Sequence, residues 1–122
     1  MTECKRILVV DDDELIREAL KELLEIKGYS VSTATNGQEA LNLIDRPSNI
    51  GLIILDLMMP VMDGQTFINI QQKNGNPVKI PIVVLSGISD QVNIPGVLKC
   101  LKKPVDLQSL LKIIEQTCGS SL

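Results

Sequence analysis

The chain has 122 residues, room for one domain, and 44% of them are apolar, enough for a real core. One Phe, one Tyr and no Trp make that core aliphatic, and a net charge of −3 argues against a nucleic-acid-binding module built on phosphate neutralisation; Lys99, Lys102 and Lys103 are the nearest thing to a basic patch. The absence of histidine removes catalytic triads, the commonest zinc ligand and a phosphohistidine carrier, while Cys4, Cys100 and Cys118 fit neither a disulfide framework nor a metal-ligand spacing.

Strand-length apolar runs alternate with helix-period segments. Lys5 to Val10 predicts a buried strand, too short for a signal peptide and followed by four acids. Asp13 to Lys27 predicts a helix with Leu15, Ile16, Ala19, Leu20, Leu23 and Leu24 inward, stopped by Gly28. Ser30 to Ala34 alternates as a second strand, and Gly37 to Asp45 is a short helix ended by Pro47. Leu52 to Leu55 is a third buried strand, closing on Asp56. Pro60 and Gly64 punctuate a loop, and Gln65 to Lys73 predicts a helix. Ile80 to Leu85 is a fourth strand. Between Gly87 and Gly96 at most two helical turns fit. Val97 to Leu101 is a fifth strand. Asp106 to Thr117 is a final helix, capped by Asp106, with Leu107, Leu110, Leu111 and Ile114 inward. Ile113 lies off that face and hints at a partner surface.

This is a (βα)₅ pattern with a weak fourth helix, which favours a doubly wound parallel sheet covered on both faces. No stretch spans a membrane, and a reduced cytoplasmic setting is expected. The whole chain, residues 1–122, is expected to be one domain, with its core at about 5–117 and a short tail at 118–122.

Ligands of such sheets bind at the carboxyl ends of the strands. There the sequence places Asp11, Asp12, Asp13 and Glu14 after strand one, Asp56 after strand three, Ser86 after strand four and Lys103 after strand five. Each has an ordinary reading. Asp13 and Glu14 suit a helix start. Asp11 and Asp12 could cap, Asp56 could serve a turn, Ser86 could open a loop and Lys103 could be a solvated lysine. Their joint placement points to chemistry. Converging carboxylates need a cation, and an oxygen-only donor set suits Mg²⁺. A metal held by Asp12 and Asp56, with Asp11 acting through water, leaves positions for a phosphoryl group. Ser86 and Lys103 can neutralise its remaining oxygens, with Asp56 as the nucleophile.

From Arg6 to about Thr117 the chain resembles the response-regulator receiver domains. "ILVVDDDE", "LIILDLMMPVMDG", "PIVVLSG" and "KKP" match the family's segments in order. The resemblance implies a flavodoxin-like fold with strand order 2-1-3-4-5 and a shortened fourth helix. It implies Asp56 as phospho-acceptor, Asp12 as direct Mg²⁺ ligand, Asp11 as the acid acting through water, and Met58 as the backbone carbonyl in the metal shell; Mn²⁺ could replace Mg²⁺. Ser86 becomes the switch hydroxyl and Lys103 the ammonium that meets the phosphoryl group. The donor is a phosphohistidine on a sensor histidine kinase or a histidine phosphotransfer protein, within a two-component phosphorelay. The output is a conformational change read by a downstream partner, with no nucleic-acid or membrane binding by this domain. The protein is not expected to be a metabolic enzyme.

Three departures stand out. Cys100 occupies the position, three before Lys103, where the family usually has an aromatic switch residue. The segment between Ser86 and Lys103 is shorter than the family's. Met58 and Ile88, at the variable positions that influence dephosphorylation, are apolar and cannot orient an attacking water, so a long-lived aspartyl phosphate is expected. Two other readings remain open: a phosphorylation-independent interaction module on this fold, and a small Mg²⁺-dependent phosphohydrolase, against which the lack of a cap or a long substrate loop argues.

Overall fold

The computed structural model describes residues 6–45, 50–56, 80–86, 97–102 and 106–118. In chain order these form β1 (Arg6–Val10), α1 (Glu14–Ile26), β2 (Val31–Ala34), α2 (Gly37–Asp45), β3 (Ile50–Asp56), β4 (Ile82–Ser86), β5 (Val97–Lys102) and α3 (Leu107–Cys118). The strands make one sheet in the order β2-β1-β3-β4-β5, and every pairing is parallel. This is the flavodoxin-like order that the resemblance to receiver domains implies. The expected helix at Gln65 to Lys73, the loop from Pro60 to Gly64, the short segment from Gly87 to Gly96 and the tail beyond Cys118 lie outside the described residues.

Alternation along the strands splits the core in two. Leu8, Val10, Ile53, Leu55, Ile82 and Val84 face one side, where Ala40 and Leu41 of α2 join them. Ile7, Val9, Leu52, Ile54, Val83 and Leu85 face the other, against Leu20 and Leu24 of α1 and Leu110 and Ile114 of α3. Both faces are aliphatic, which is why the strands read as unbroken apolar runs. The chain steps from β1 to β2 in one direction and back past β1 to β3 in the other. Right-handed crossovers then put α1 and α2 on opposite faces.

Strand ends shifted where the backbone demanded it. β3 starts at Ile50, two residues ahead of the expected Leu52, because Arg6 pairs with Ile50 while Ile7 pairs with Leu52. Gly51 is the residue skipped, and a glycine inside a strand commonly marks such a bulge. β4 starts at Ile82 instead of Ile80, since Pro81 has no N–H to give the ladder. Its carbonyl still accepts the Ile53 N–H at 3.0 Å.

The helices end as their termini dictate. Gly28 has φ 97°, a left-handed conformation that a side chain would oppose. The N–H of Gly28 donates to the Glu25 carbonyl and that of Tyr29 to the Leu24 carbonyl, a Schellman pair. Buried Tyr29 packs in the same cluster as Leu24. Asp106 receives the Gln108 N–H at 3.2 Å and the Ser109 hydroxyl at 2.7 Å, so it caps α3 as expected. Two inward faces were narrower than the periodicity suggested. Leu15 is 83% exposed and Ala19 is exposed, because the stripe that reaches the sheet is Ile16, Leu20 and Leu24. Leu107, in the first turn of α3, is partly out, whereas Ile113 is half-buried and packs in part against the core. Among the described residues no helix is long and apolar enough to cross a membrane.

At the start of α2, the Asn36 side chain accepts the Glu39 N–H at 2.9 Å, and the Glu39 carboxylate accepts the Thr35 N–H at 3.0 Å. Those Thr35 bonds hold the Glu39 carboxyl below its ordinary value, and the positive charge of Arg17 adds to the effect. The charged form is the one favoured, so this contribution is present above the ordinary carboxylate pKa and lost as pH falls through the lowered one. Glu39→Gln is expected to cost about 0.5 kcal/mol at neutral pH. The difference from the parent should shrink to nothing in acid, as urea titrations across that range would show.

Candidate functional site

The site grows out of the β1–β3 pairing. Val10 is opposite Leu55 in the last rung of that ladder. The next residue on each strand is an aspartate, so Asp11 and Asp56 lie side by side on strands spaced roughly 4.8 Å apart. Both are buried, at 1% and 4% exposure. Asp12 follows in the exposed turn into α1. One carboxylate oxygen from each of the three lies within 4.8 Å of the others. The winding order reverses between β1 and β3, and ligands of open parallel sheets bind at the carboxyl ends of the strands at such a switch point.

Local hydrogen bonds divide the four consecutive acids into two jobs. The Asp13 carboxylate accepts the Leu15 N–H at 3.0 Å and the Ile16 N–H at 3.4 Å, so it caps α1. Glu14 sits in the first turn, where negative charge suits the helix dipole. Asp11 is held at three points. Its N–H donates to the Ala34 carbonyl at 3.2 Å, and one of its carboxylate oxygens accepts the Asp13 N–H at 2.9 Å. Its carbonyl accepts from Arg17 Nη1 at 2.9 Å. Asp11 and Asp12 are thereby left to meet Asp56.

Three carboxylates packed this closely repel unless a cation sits among them. Their donor atoms are all hard oxygens, which fits Mg²⁺ and not a soft transition metal. Ser86 closes β4 one residue past Leu85, the partner of Asp56, so its backbone reaches the same sheet edge. The hydroxyl of Ser86, together with Met58 and Lys103, lies outside the described residues. Two residues escaped the sequence reading. The spacing of Asn36 and Glu39 is a capping signature that could have revealed Glu39. Arg17 carried a fainter signal, a cation near a helix start where the dipole disfavours one.

A family model for the response regulator receiver domain matches residues 7–115. The chain belongs to that family. The receiver domain is 42% identical over 113 residues to the response regulator MprA of Mycolicibacterium vanbaalenii, an alignment covering 87% of this chain and 47% of that protein. It is 45% identical over 84 residues to the probable transcriptional regulator ycf27 of Cyanidium caldarium, covering 69% of this chain and 32% of that one. The chain thus spans half or less of the length of these relatives. Among solved structures, a response regulator receiver protein from Pseudomonas putida superposes with a TM-score of 0.86 at 32% identity, covering 95% of this chain and 99% of that one. The response regulator TrrA from Thermotoga maritima, in complex with Mg²⁺-BeF, gives 0.81 at 33% identity and covers 93% and 98%. This is a signalling family of two-component systems, not a family of metabolic enzymes. Receiver domains generally bind Mg²⁺, and the Asp11–Asp12–Asp56 cluster is consistent with that.

Removing one charge from the cluster should relieve repulsion in the metal-free protein. Asp12→Asn is therefore expected to raise the urea midpoint without metal. The parent should gain about 2.7 kcal/mol at Mg²⁺ roughly 100-fold above its Kd, and Asp12→Asn should lose most of that gain. Denaturation with and without Mg²⁺ measures both.

Proposed function

We propose that this receiver domain accepts a phosphoryl group on Asp56 and thereby switches a surface read by a downstream partner. The observation that carries the reading is the meeting of Asp11, Asp12 and Asp56 within 4.8 Å at the ends of β1 and β3. Asp56 is the only one of the three that ends a buried strand of the sheet's centre, with Leu85 as its neighbour on β4. Its backbone is therefore fixed, and its carboxylate presents an oxygen from a rigid base.

The donor is a phosphohistidine on a sensor histidine kinase or a histidine phosphotransfer protein. An Asp56 oxygen attacks phosphorus, the bond from phosphorus to the donor's imidazole nitrogen breaks, and an acyl phosphate forms on Asp56. The departing imidazole keeps the bonding electron pair. Asp12 and Asp56 would hold Mg²⁺ or Mn²⁺ directly, with Asp11 through water and the Met58 carbonyl. When bound, the ion would offset the negative charge of the acids and of the phosphoryl oxygens. Lys103 and the Ser86 hydroxyl are assigned to the remaining phosphoryl oxygens. Phosphorylation adds about −1.5 to −2 charge. Contacts that exist only with the phosphoryl group present can then bias the neighbouring loops between two arrangements.

Incubation with Mg²⁺ and acetyl phosphate is expected to add one phosphoryl group by intact mass. The gain should vanish in Asp56→Ala and without the metal. Absence of any gain, together with no response to beryllofluoride by NMR, would instead favour a module that binds partners without phosphorylation. The apolar Met58 and Ile88 predict slow hydrolysis of the acyl phosphate. Its half-life, followed by the same mass measurement after donor removal, is expected to be minutes or longer; seconds would contradict the assignment.

A further inference from the structure

Arg17 is an unusual residue for its position. It lies near the N-terminus of α1, where a helix dipole disfavours positive charge, and its side chain is only 12% exposed. Its ion pair with Glu18 is long, 3.9 Å, and Glu18 is largely solvated, so that pair does not explain the burial. The short contact is the one from Nη1 to the Asp11 carbonyl, at 2.9 Å. That carbonyl sits where β1 gives way to the turn into α1. The Asp11 N–H is bonded to Ala34 of β2, and the Asp13 N–H closes on the Asp11 carboxylate at 2.9 Å. The Arg17 charge also reaches Glu39 at the start of α2. One guanidinium therefore ties the turn that carries Asp11 and Asp12 to the helix that follows it, beside the β2–α2 junction.

We propose that Arg17 is a positioning residue for the acidic site: by holding the Asp11 carbonyl it sets the turn between β1 and α1, so that Asp11 and Asp12 stand ready beside Asp56 for a divalent cation. This rests on the metal reading above. A simple charge effect makes the opposite prediction. Arg17 is a cation bonded to the backbone of one of the three acids, so deleting it makes the region more negative and should tighten cation binding. Loss of positioning should weaken it, and supporting groups around metal ligands typically contribute 10- to 100-fold in affinity.

The test is Mn²⁺ binding, followed by the electron paramagnetic resonance signal of the free ion, on the parent, Arg17→Met and Arg17→Lys. Amide NMR spectra establish that each variant is folded. Arg17→Met is expected to bind Mn²⁺ about tenfold more weakly than the parent. Equal or tighter binding would overturn the assignment while leaving the metal site intact. No binding by the parent would sink the metal reading and this inference with it. Should Arg17→Met not fold, Arg17→Lys decides by the same criterion. It keeps the charge and gives up the planar fork, so weaker binding there reports geometry alone.

Discussion

The structure depends on the register between β1 and β3. These are adjacent parallel strands, buried on both faces; β3 ends in Asp56, and Asp11 follows β1 directly, one residue past the Val10–Leu55 rung. Everything proposed for the site follows from that one alignment. It is also a constraint on folding. When both faces of a sheet are aliphatic, hydrophobic pattern alone resists a one-residue slip only weakly. Here a slip would draw Asp11 or Asp56 into the sheet interior, where a carboxylate is costly. The acids that do the chemistry thus help to specify the pairing that brings them together. The bulge at Gly51 absorbs the mismatch at the other end of β3 without disturbing this rung.

Much of this could be read from the chain. The strands were legible because Ile7 to Val10, Leu52 to Leu55 and Ile82 to Leu85 are continuous apolar runs. The acids were legible because each follows such a run directly. What failed has physical causes. A helical period admits a wide face, and only packing shows that Ile16, Leu20 and Leu24 reach the sheet while Leu15 does not. Pro81 and Gly51 altered strand ends through backbone hydrogen bonding, which composition does not display. Ile113 lies off the Leu110–Ile114 face by helical period, and only packing shows that it is half-buried against the same cluster. Arg17 could not be assigned from spacing, since its partner is a carbonyl at the end of a strand.

The four acids after β1 show how little sequence distinguishes structure from chemistry. Asp11, Asp12 and Asp13 are identical in type and consecutive. Asp13 spends its carboxylate on the N–H groups of Leu15 and Ile16. That cap fixes where α1 begins, and so fixes how far the turn extends before it. Asp11 is already committed to β1 through its N–H. Between a strand that ends and a helix that begins, Asp12 stands with a carboxylate oxygen within 4.8 Å of those of Asp11 and Asp56.

The aliphatic core has a consequence for how this protein can be watched. Tyr29 is the only tyrosine and there is no tryptophan, so it is the chain's main intrinsic fluorophore. It is buried just before β2, at the edge of the sheet where the parallel strands begin. The acids are at the edge where they end. Tyrosine emission therefore reports on whether α1 and β2 are docked, and it is optically remote from events at Asp56. A change in that emission on adding metal or phosphodonor would mean that the disturbance had crossed the full length of the sheet.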